Sequence, residues 1–281
     1  MEEKEKKDFS TIYEIKKRIN DSNFGTNYKS KIKSNEFSFI IEKIYFDERY
    51  ERDEPNFSEI LKKNKNTIHP NLLKIYGYYY KDDYYFIFKE ITKCSLYDLI
   101  EVNFHFSEYH IAAICYSILN VLDFLHGKKF IHFNIKSENI LITKEGKIKL
   151  GGFYEQEIPV RSMIGISIIY DCKNDKSPSL KKPELYSPLL IDFLNKCLNI
   201  DYKSRPNAKQ LLQHPFINDL GKKYYNSDIF SEILIEYPEL KKLKPKSISY
   251  SYSKSKSDSN SDSDSNSDSD SDSDTFIQKD D

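Results

Sequence analysis

Between His132 and Gly152 the chain gathers side chains capable of chemistry: an imidazole at His132, carboxamides at Asn134 and Asn139, an ammonium at Lys136 and a carboxylate at Glu138. The glycine pair Gly151 and Gly152 follows. A carboxamide can orient a hydroxyl but cannot accept its proton, so Asn134 is no general base. Asn139 offers a hard divalent cation one neutral oxygen, and Gly152 offers it none. Two further charges fall inside apolar, strand-like stretches: Glu42 in FSFIIEKIYF and Lys89 in YYFIFKEI. A charge inside such a stretch needs a partner or water.

The elements that must position these groups follow from the apolar pattern. Residues 13–46 alternate apolar and polar side chains with turn residues between, which predicts a meander of three antiparallel strands. Because side chains alternate across a strand, Glu42 and the adjacent Lys43 point to opposite faces. Residues 52–66 predict a short helix carrying Glu54 and Glu59. LLKIYGYYYKDDYYFIFKEI predicts a hairpin turning at Lys81, Asp82 and Asp83, with a helix around SLYDLI after it. The clearest helix runs from a Ser107 cap to a Gly127 stop, with an apolar stripe at Ile111, Ile114, Cys115, Ile118, Leu122 and Leu125. Residues 131–154, IHFNIKSENILITKEGKIKLGGFY, read as a loop, a strand, a tight turn around Gly146 and a second strand. Further on, Ser187 and Pro188 start another helix, with Pro at its first position.

In order and spacing, residues 131–154 resemble the catalytic loop and metal-binding segment of eukaryotic protein kinases, H-R-D-[LI]-K-x-x-N followed by D-F-G. His132, Lys136 and Asn139 sit on the pattern. Phe133 replaces its arginine, Asn134 the catalytic aspartate, Gly152 the metal-binding aspartate and Tyr154 the glycine of D-F-G. The glycine-rich loop of the family aligns with Ile19 to Lys29, where only the last glycine, Gly25, survives. Asn20, Asp21 and Ser22 obstruct the close backbone approach that phosphates require. The phosphate-binding lysine aligns with Glu42, and the gatekeeper beside the adenine pocket with Lys89; the resemblance thereby implies facing strands and an internal Glu42–Lys89 ion pair filling the space of the nucleotide. Glu59 or Glu54 aligns with the regulatory-helix glutamate, which has lost its lysine partner.

After Phe153 only the ten residues YEQEIPVRSM precede IGISIIY. The latter resembles a central helix of the kinase C-lobe, so the activation loop, substrate platform and A-P-E are absent. A second contraction at DCKNDKSPS is followed by SLKKPELYSPLLIDFLNKCLNIDYKSRPNAKQLLQHPFI. That stretch is most similar to Sterile-twenty-like serine/threonine kinases. The family pairs Arg205 with the A-P-E glutamate, so here Arg205 needs another acceptor or water.

The resemblance implies an α+β, two-lobed fold with an N-lobe over 13–90 and a C-lobe over 91–217, truncated in its activation segment and C-lobe. A charged leader covers 1–12, a charged and partly helical extension 218–246, and a disordered tail 247–281. In that tail, residues 257–274 comprise nine Ser, seven Asp and two Asn, with nothing apolar to bury. Ser with Asp three positions on suits acidophilic, casein-kinase-type enzymes. The implied function is an inactive kinase, a pseudokinase, acting as scaffold or allosteric regulator through other proteins, an active kinase among the candidates. Two alternatives stay open: a weakly active or ATP-binding kinase using Glu138 or Glu155 as a substitute carboxylate, and a degenerate, marginally stable fragment. The degenerate catalytic positions are Asn134, Lys136 and Asn139, and the degenerate ATP-site positions Ile19, Gly25, Glu42, Lys89 and Gly152. No metal or cofactor is expected, ATP with magnesium entering only under the active alternative.

Composition narrows the classes further. Forty-three basic residues against 44 acidic give a net charge of -1, which argues against nucleic acid as a partner by bulk charge. The charged start MEEKEKKDFS, and runs shorter than about 18 apolar residues, predict neither a secretory signal nor a membrane span. Cys94, Cys115, Cys172 and Cys197 lie far apart and read as free, buried thiols of a reducing compartment. The cytosol is the expected location, with the nucleus open.

Overall fold

The computed structural model describes residues 12–21, 25–46, 57–132, 134–152, 182–199, 201 and 203–243. Expectations resting on Phe133, Glu54, Tyr154, Glu155, Cys172, the contracted segment 154–181 and the Ser/Asp tail lie outside them.

The N-terminal half forms the expected meander and more. Strands β1 (Tyr13–Asp21), β2 (Gly25–Ile32), β3 (Ser38–Tyr45), β4 (Ile75–Lys81) and β5 (Tyr84–Lys89) make one antiparallel sheet in the order β1-β2-β3-β5-β4. The β4–β5 connection is the two-residue turn Asp82–Asp83, both at positive φ (50° and 59°). A tight primed turn demands that conformation, and aspartate tolerates it. Helix α1 (Phe57–Asn66) covers one face of the sheet, burying Phe57, Ile60 and Leu61 against Ile44, Phe46, Tyr85 and Ile87. Phe57 stacks on Phe46 at 5.2 Å and meets Tyr85 edge-on at 4.8 Å. The opposite face carries a second aromatic cluster, with Tyr13, Phe39 and Ile41 packed by Tyr79, Phe86 and Phe88.

The helical half is built on α3 (Glu108–Gly127). Its N-cap Ser107 forms a reciprocal capping box with His110, as the sequence required of Ser107. Gly127 is the last helical residue rather than the stop: the left-handed position falls at Lys129 (φ 62°), after the cap residue Lys128. Nor is the helix buried by a single stripe. Ala113, Ile114, Ile118, Val121 and Leu125 face one core cluster, while Ala112 and Leu119 face another. Helix α3 is also long and apolar enough to cross a membrane by composition, but half of that stretch is buried inside the protein, as a core helix should be.

Around it lie β6 (Cys94–Ser95), α2 (Leu96–Glu101), β7 (Ile140–Ile142) and β8 (Ile148–Leu150), the last three strands forming a small antiparallel sheet. Beyond them are α4 (Pro188–Cys197), α5 (Ala208–Leu211) and α6 (Ile229–Leu243). Ser187 caps α4, and the α3 residue Glu108 reaches across to accept from Ser187 N at 2.6 Å and from its hydroxyl at 2.5 Å. A carboxylate at a helix N-terminus faces the positive end of the backbone dipole. The expected extension over 218–246 is, from Ile229 to Leu243, core: Phe230, Ile233 and Tyr237 are buried among β6–β8 and α3. Its amphipathic stripe docks because those three side chains have no other way out of water.

Candidate functional site

A cleft of about 350 Å³ opens between the five-stranded sheet and the β6–β8 segment. Of the residues singled out in the sequence, Ile19, Glu42, Lys89, Lys136, Glu138, Asn139 and Gly152 line it. Gly25 and Asn134 do not. Gly25 serves the sheet instead: a Cβ there would lie 2.0 Å from the carbonyl oxygen of Lys43, so β2 and β3 approach each other only because it is glycine.

The facing-strand pair forms. Glu42 on β3 is 1% exposed, and Lys89 Nζ donates to its Oε2 at 2.9 Å. Regular pairing explains why: Ile40 lies opposite Lys89 and Glu42 opposite Ile87, so both charged side chains stand on one face two positions apart along the diagonal. Lys43 takes the other face, its ammonium 3.7 Å from the centroid of the Tyr84 ring, a cation–π contact that holds it away from the cleft. Glu42 is therefore neither solvent-facing nor exchanged with its lysine neighbour by a bulge.

The polar loop is held by its own backbone. His132 is buried, with Nε2 3.1 Å from the Gly151 carbonyl and Nδ1 accepting Asn134 N–H at 3.3 Å. Burial pushes its pKa down to about 4, only partly opposed by the Gly151 hydrogen bond. The ring is thus neutral, Nε2–H donating and Nδ1 accepting. Asn139 is equally tied down: its amide Nδ2 donates to the Asn134 carbonyl at 2.9 Å, and its own carbonyl accepts Gly151 N–H at 2.8 Å.

Position 152 is shaped by this arrangement. Gly152 adopts φ +73°, and a Cβ added there would sit 2.3 Å from Asn139 Nδ2. The asparagine side chain occupies the volume into which any side chain at 152 would grow. A hard cation in the cleft would find Asn139's amide already committed through its nitrogen, and no carboxylate at 152.

Among the lining residues that sequence reasoning missed, Asn27 and Glu90 bear most on the cleft. Asn27 lies opposite Glu42 in the β2–β3 register, and its Oδ1 is buried without a hydrogen-bond partner. Glu90, just after β5, lines the cleft and pairs with Lys149 at 3.1 Å. Asn20 makes the cleft wall more polar still. Asn27 lies directly across the β2–β3 hairpin from Glu42, so fixing the hairpin register would have found it; nothing in the sequence pairs residues 90 and 149. The candidate regulatory glutamate Glu59 is exposed on α1, outside the cleft. Arg205 has found its acceptor, the Asn199 carbonyl, at 2.5 Å through Nε. Cys115 and Cys197 are free thiols pushed by burial to about 12 and about 11, so neither is an ionised ligand or nucleophile at neutral pH. Among the described residues no group of His, Cys, Asp or Glu is placed to hold a metal ion.

Comparison with known proteins gives a consistent picture. Residues 13–154 match the protein kinase domain family. The chain is 28% identical over 268 residues to the serine/threonine-protein kinase dst1 of Dictyostelium discoideum, covering 75% of this chain and 35% of that protein. It is 26% identical over 281 residues to serine/threonine-protein kinase 4 homolog B of the same organism, covering 80% and 25%. With serine/threonine-protein kinase 10 of Rattus norvegicus the identity is 24% over 267 residues, covering 75% and 27%. The chain thus spans about a third or less of the length of these relatives.

Proposed function

Since the chain belongs to the protein kinase domain family, we propose that it is a catalytically inactive member, a pseudokinase nearest the Sterile-twenty-like branch, which works as a scaffold or allosteric regulator through protein contacts. The observation that carries this reading is the Glu42–Lys89 pair. A buried carboxylate stands in the cleft, and the nearest ammonium is spent neutralising it rather than a phosphate.

Phosphoryl transfer needs a base for the hydroxyl, magnesium at the phosphates and cations on the nucleotide. Asn134 cannot take a proton, a loss worth roughly 10²- to 10⁴-fold in rate. Gly152 offers no oxygen, and Asn139 fills the volume beside it. Glu42, neutralised by Lys89, leaves this part of the cleft without the cation that a polyphosphate needs. These losses are independent, so no single neighbouring residue compensates for all of them. His132, Lys136 and Asn139 are then retained for the loop's own fold.

One observation favours the second reading, a weakly active or nucleotide-binding kinase: Glu138 lines the cleft and is exposed, its carboxylate held only by the Ser137 hydroxyl at 3.0 Å among the described residues. A thermal-shift titration with ATP and Mg²⁺, followed by a radiolabelled phosphate-transfer assay, separates the two. The pseudokinase reading expects neither stabilisation nor transfer; metal-dependent stabilisation with transfer to a protein substrate overturns it. Under this reading the partners are proteins, an active kinase among them, met in the cytosol or nucleus, and the Ser/Asp tail is a substrate for an acidophilic kinase.

A further inference from the structure

A second concavity, of about 370 Å³, lies on the helical half, formed by the C-terminal end of α4, residues 203–206 and α5. Lys196, Lys203 and Arg205 line it above an apolar floor of Pro206 and Leu211, and none of its lining residues is acidic. We propose that this notch binds an anionic side chain, a carboxylate or a phosphoserine, presented on a peptide of a partner protein. The proposal deepens the scaffold reading by naming a surface and a partner chemistry, and it rests on that reading only in supposing that the protein acts through contacts.

Two of the cations, Lys196 and Arg205, are set in place by side-chain contacts. Asp192 on α4 accepts from Lys196 and, at 2.8 Å, from His214 Nε2, while His214 Nδ1 accepts Phe216 N–H at 3.2 Å. His214 is 7% exposed, and with both ring nitrogens occupied it acts as a post fixing Asp192. Among the described residues Arg205 donates a hydrogen bond only through Nε, to the Asn199 carbonyl; Asp201 acts on its charge electrostatically, and the two amino groups of the guanidinium would face a ligand. That planar fork matches the two oxygens of a carboxylate or phosphate. Two carboxylates stand nearby, Asp192 and Asp201. Both are held ionised, Asp192 by Lys196 and His214, Asp201 by Ser204 and the Lys203 backbone N–H. Neither lines the notch. Three cations against two carboxylates leave the rim with a positive excess, concentrated at the arginine fork. Pro206 and Leu211 then suit an apolar side chain beside the anion, so a peptide fits better than a free ion.

The test uses the full chain and three fluorescein-labelled peptides that differ at one position beside a leucine: glutamate, phosphoserine or glutamine. Fluorescence anisotropy is expected to show saturable binding of the first two, weakening as salt is raised, with the glutamine peptide on the order of tenfold weaker. Arg205→Gln should lose a similar factor toward the charged peptides, Arg205→Lys should fall between, and Lys242→Gln, on an exposed lysine of α6, should change nothing. Equal binding of the glutamine peptide, or full affinity in Arg205→Gln, overturns the proposal, as does absence of binding by both charged peptides. Adding ATP with Mg²⁺ in a parallel thermal-shift arm reads the cleft separately: stabilisation there would overturn the pseudokinase reading while leaving the peptide result to stand or fall alone.

Discussion

Replacing Lys89 by methionine should cost far more stability than its partly exposed position suggests. The substitution keeps most of the aliphatic stem but removes the ammonium 2.9 Å from a carboxylate that is 1% exposed. A carboxylate that loses its counter-charge in such a place must either stay charged at a large desolvation cost or take up a proton. Breaking a buried pair by removing one partner typically costs about 3–5 kcal/mol. Lys89 retains 12% side-chain exposure, so some water reaches the pair and the lower end, about 3 kcal/mol, is the better figure. The double variant Glu42→Leu/Lys89→Met removes both charges and should lie within about 1 kcal/mol of the parent, since apolar replacement of a buried pair is often neutral or stabilising. Urea unfolding of the four proteins in the cycle at neutral pH measures this, with equal m-values required for the comparison. A Lys89→Met cost below about 1 kcal/mol, or additive single and double costs, would refute the claim that these charges depend on each other.

His132 should make the protein acid-sensitive. Its folded pKa of about 4 lies below the ordinary 6.5, so the unfolded chain binds the extra proton between those values and stability falls as pH drops through that window. Near pH 7 both states are neutral and nothing is lost; by pH 4 the loss attributable to this residue is on the order of 3 kcal/mol, and His132→Gln should flatten that part of a stability-versus-pH curve relative to the parent. Gly152→Asp should not restore metal binding. It must displace the Asn139 amide and hold an L side chain at φ +73°, a strain of about 1–3 kcal/mol, and isothermal titration with Mg²⁺ should show no new site while the melting temperature drops. Phe230→Ala on α6 should destabilise by about 3–5 kcal/mol in urea unfolding, because the ring is 1% exposed inside the main core; a cost near zero would mean that α6 merely rests on the surface.

Much of this protein could be read from the chain. Local rules sufficed wherever a signal was local: Ser107 and Ser187 as caps, Asp82–Asp83 as a hairpin turn, Gly146 at φ 75° between β7 and β8, and the two-residue period of β3 that sends Glu42 and Lys43 to opposite faces. That Glu42 and Lys89 lie on facing strands is not in the period: β3 and β5 are not consecutive, and only the resemblance to kinases implied that they are neighbours.

What the tertiary structure alone decided involves residues distant in sequence that share a volume. The amphipathic stripe of residues 229–243 favours docking on the lobe over binding a partner, but it does not say which surface it meets; the packing of Phe230 with β6–β8 and α3 decides that. The two buried sides of α3 were invisible for the same reason, since Ala112 and Leu119 count as core only once α4 and the 216–221 turn lie over them. At the cleft, the sequence removed the carboxylate from position 152, but only packing put the Asn139 amide where that side chain would have been. Substitution at one position is written in the chain; occupation of the vacated space by another residue depends on three-dimensional exclusion, which no local pattern records.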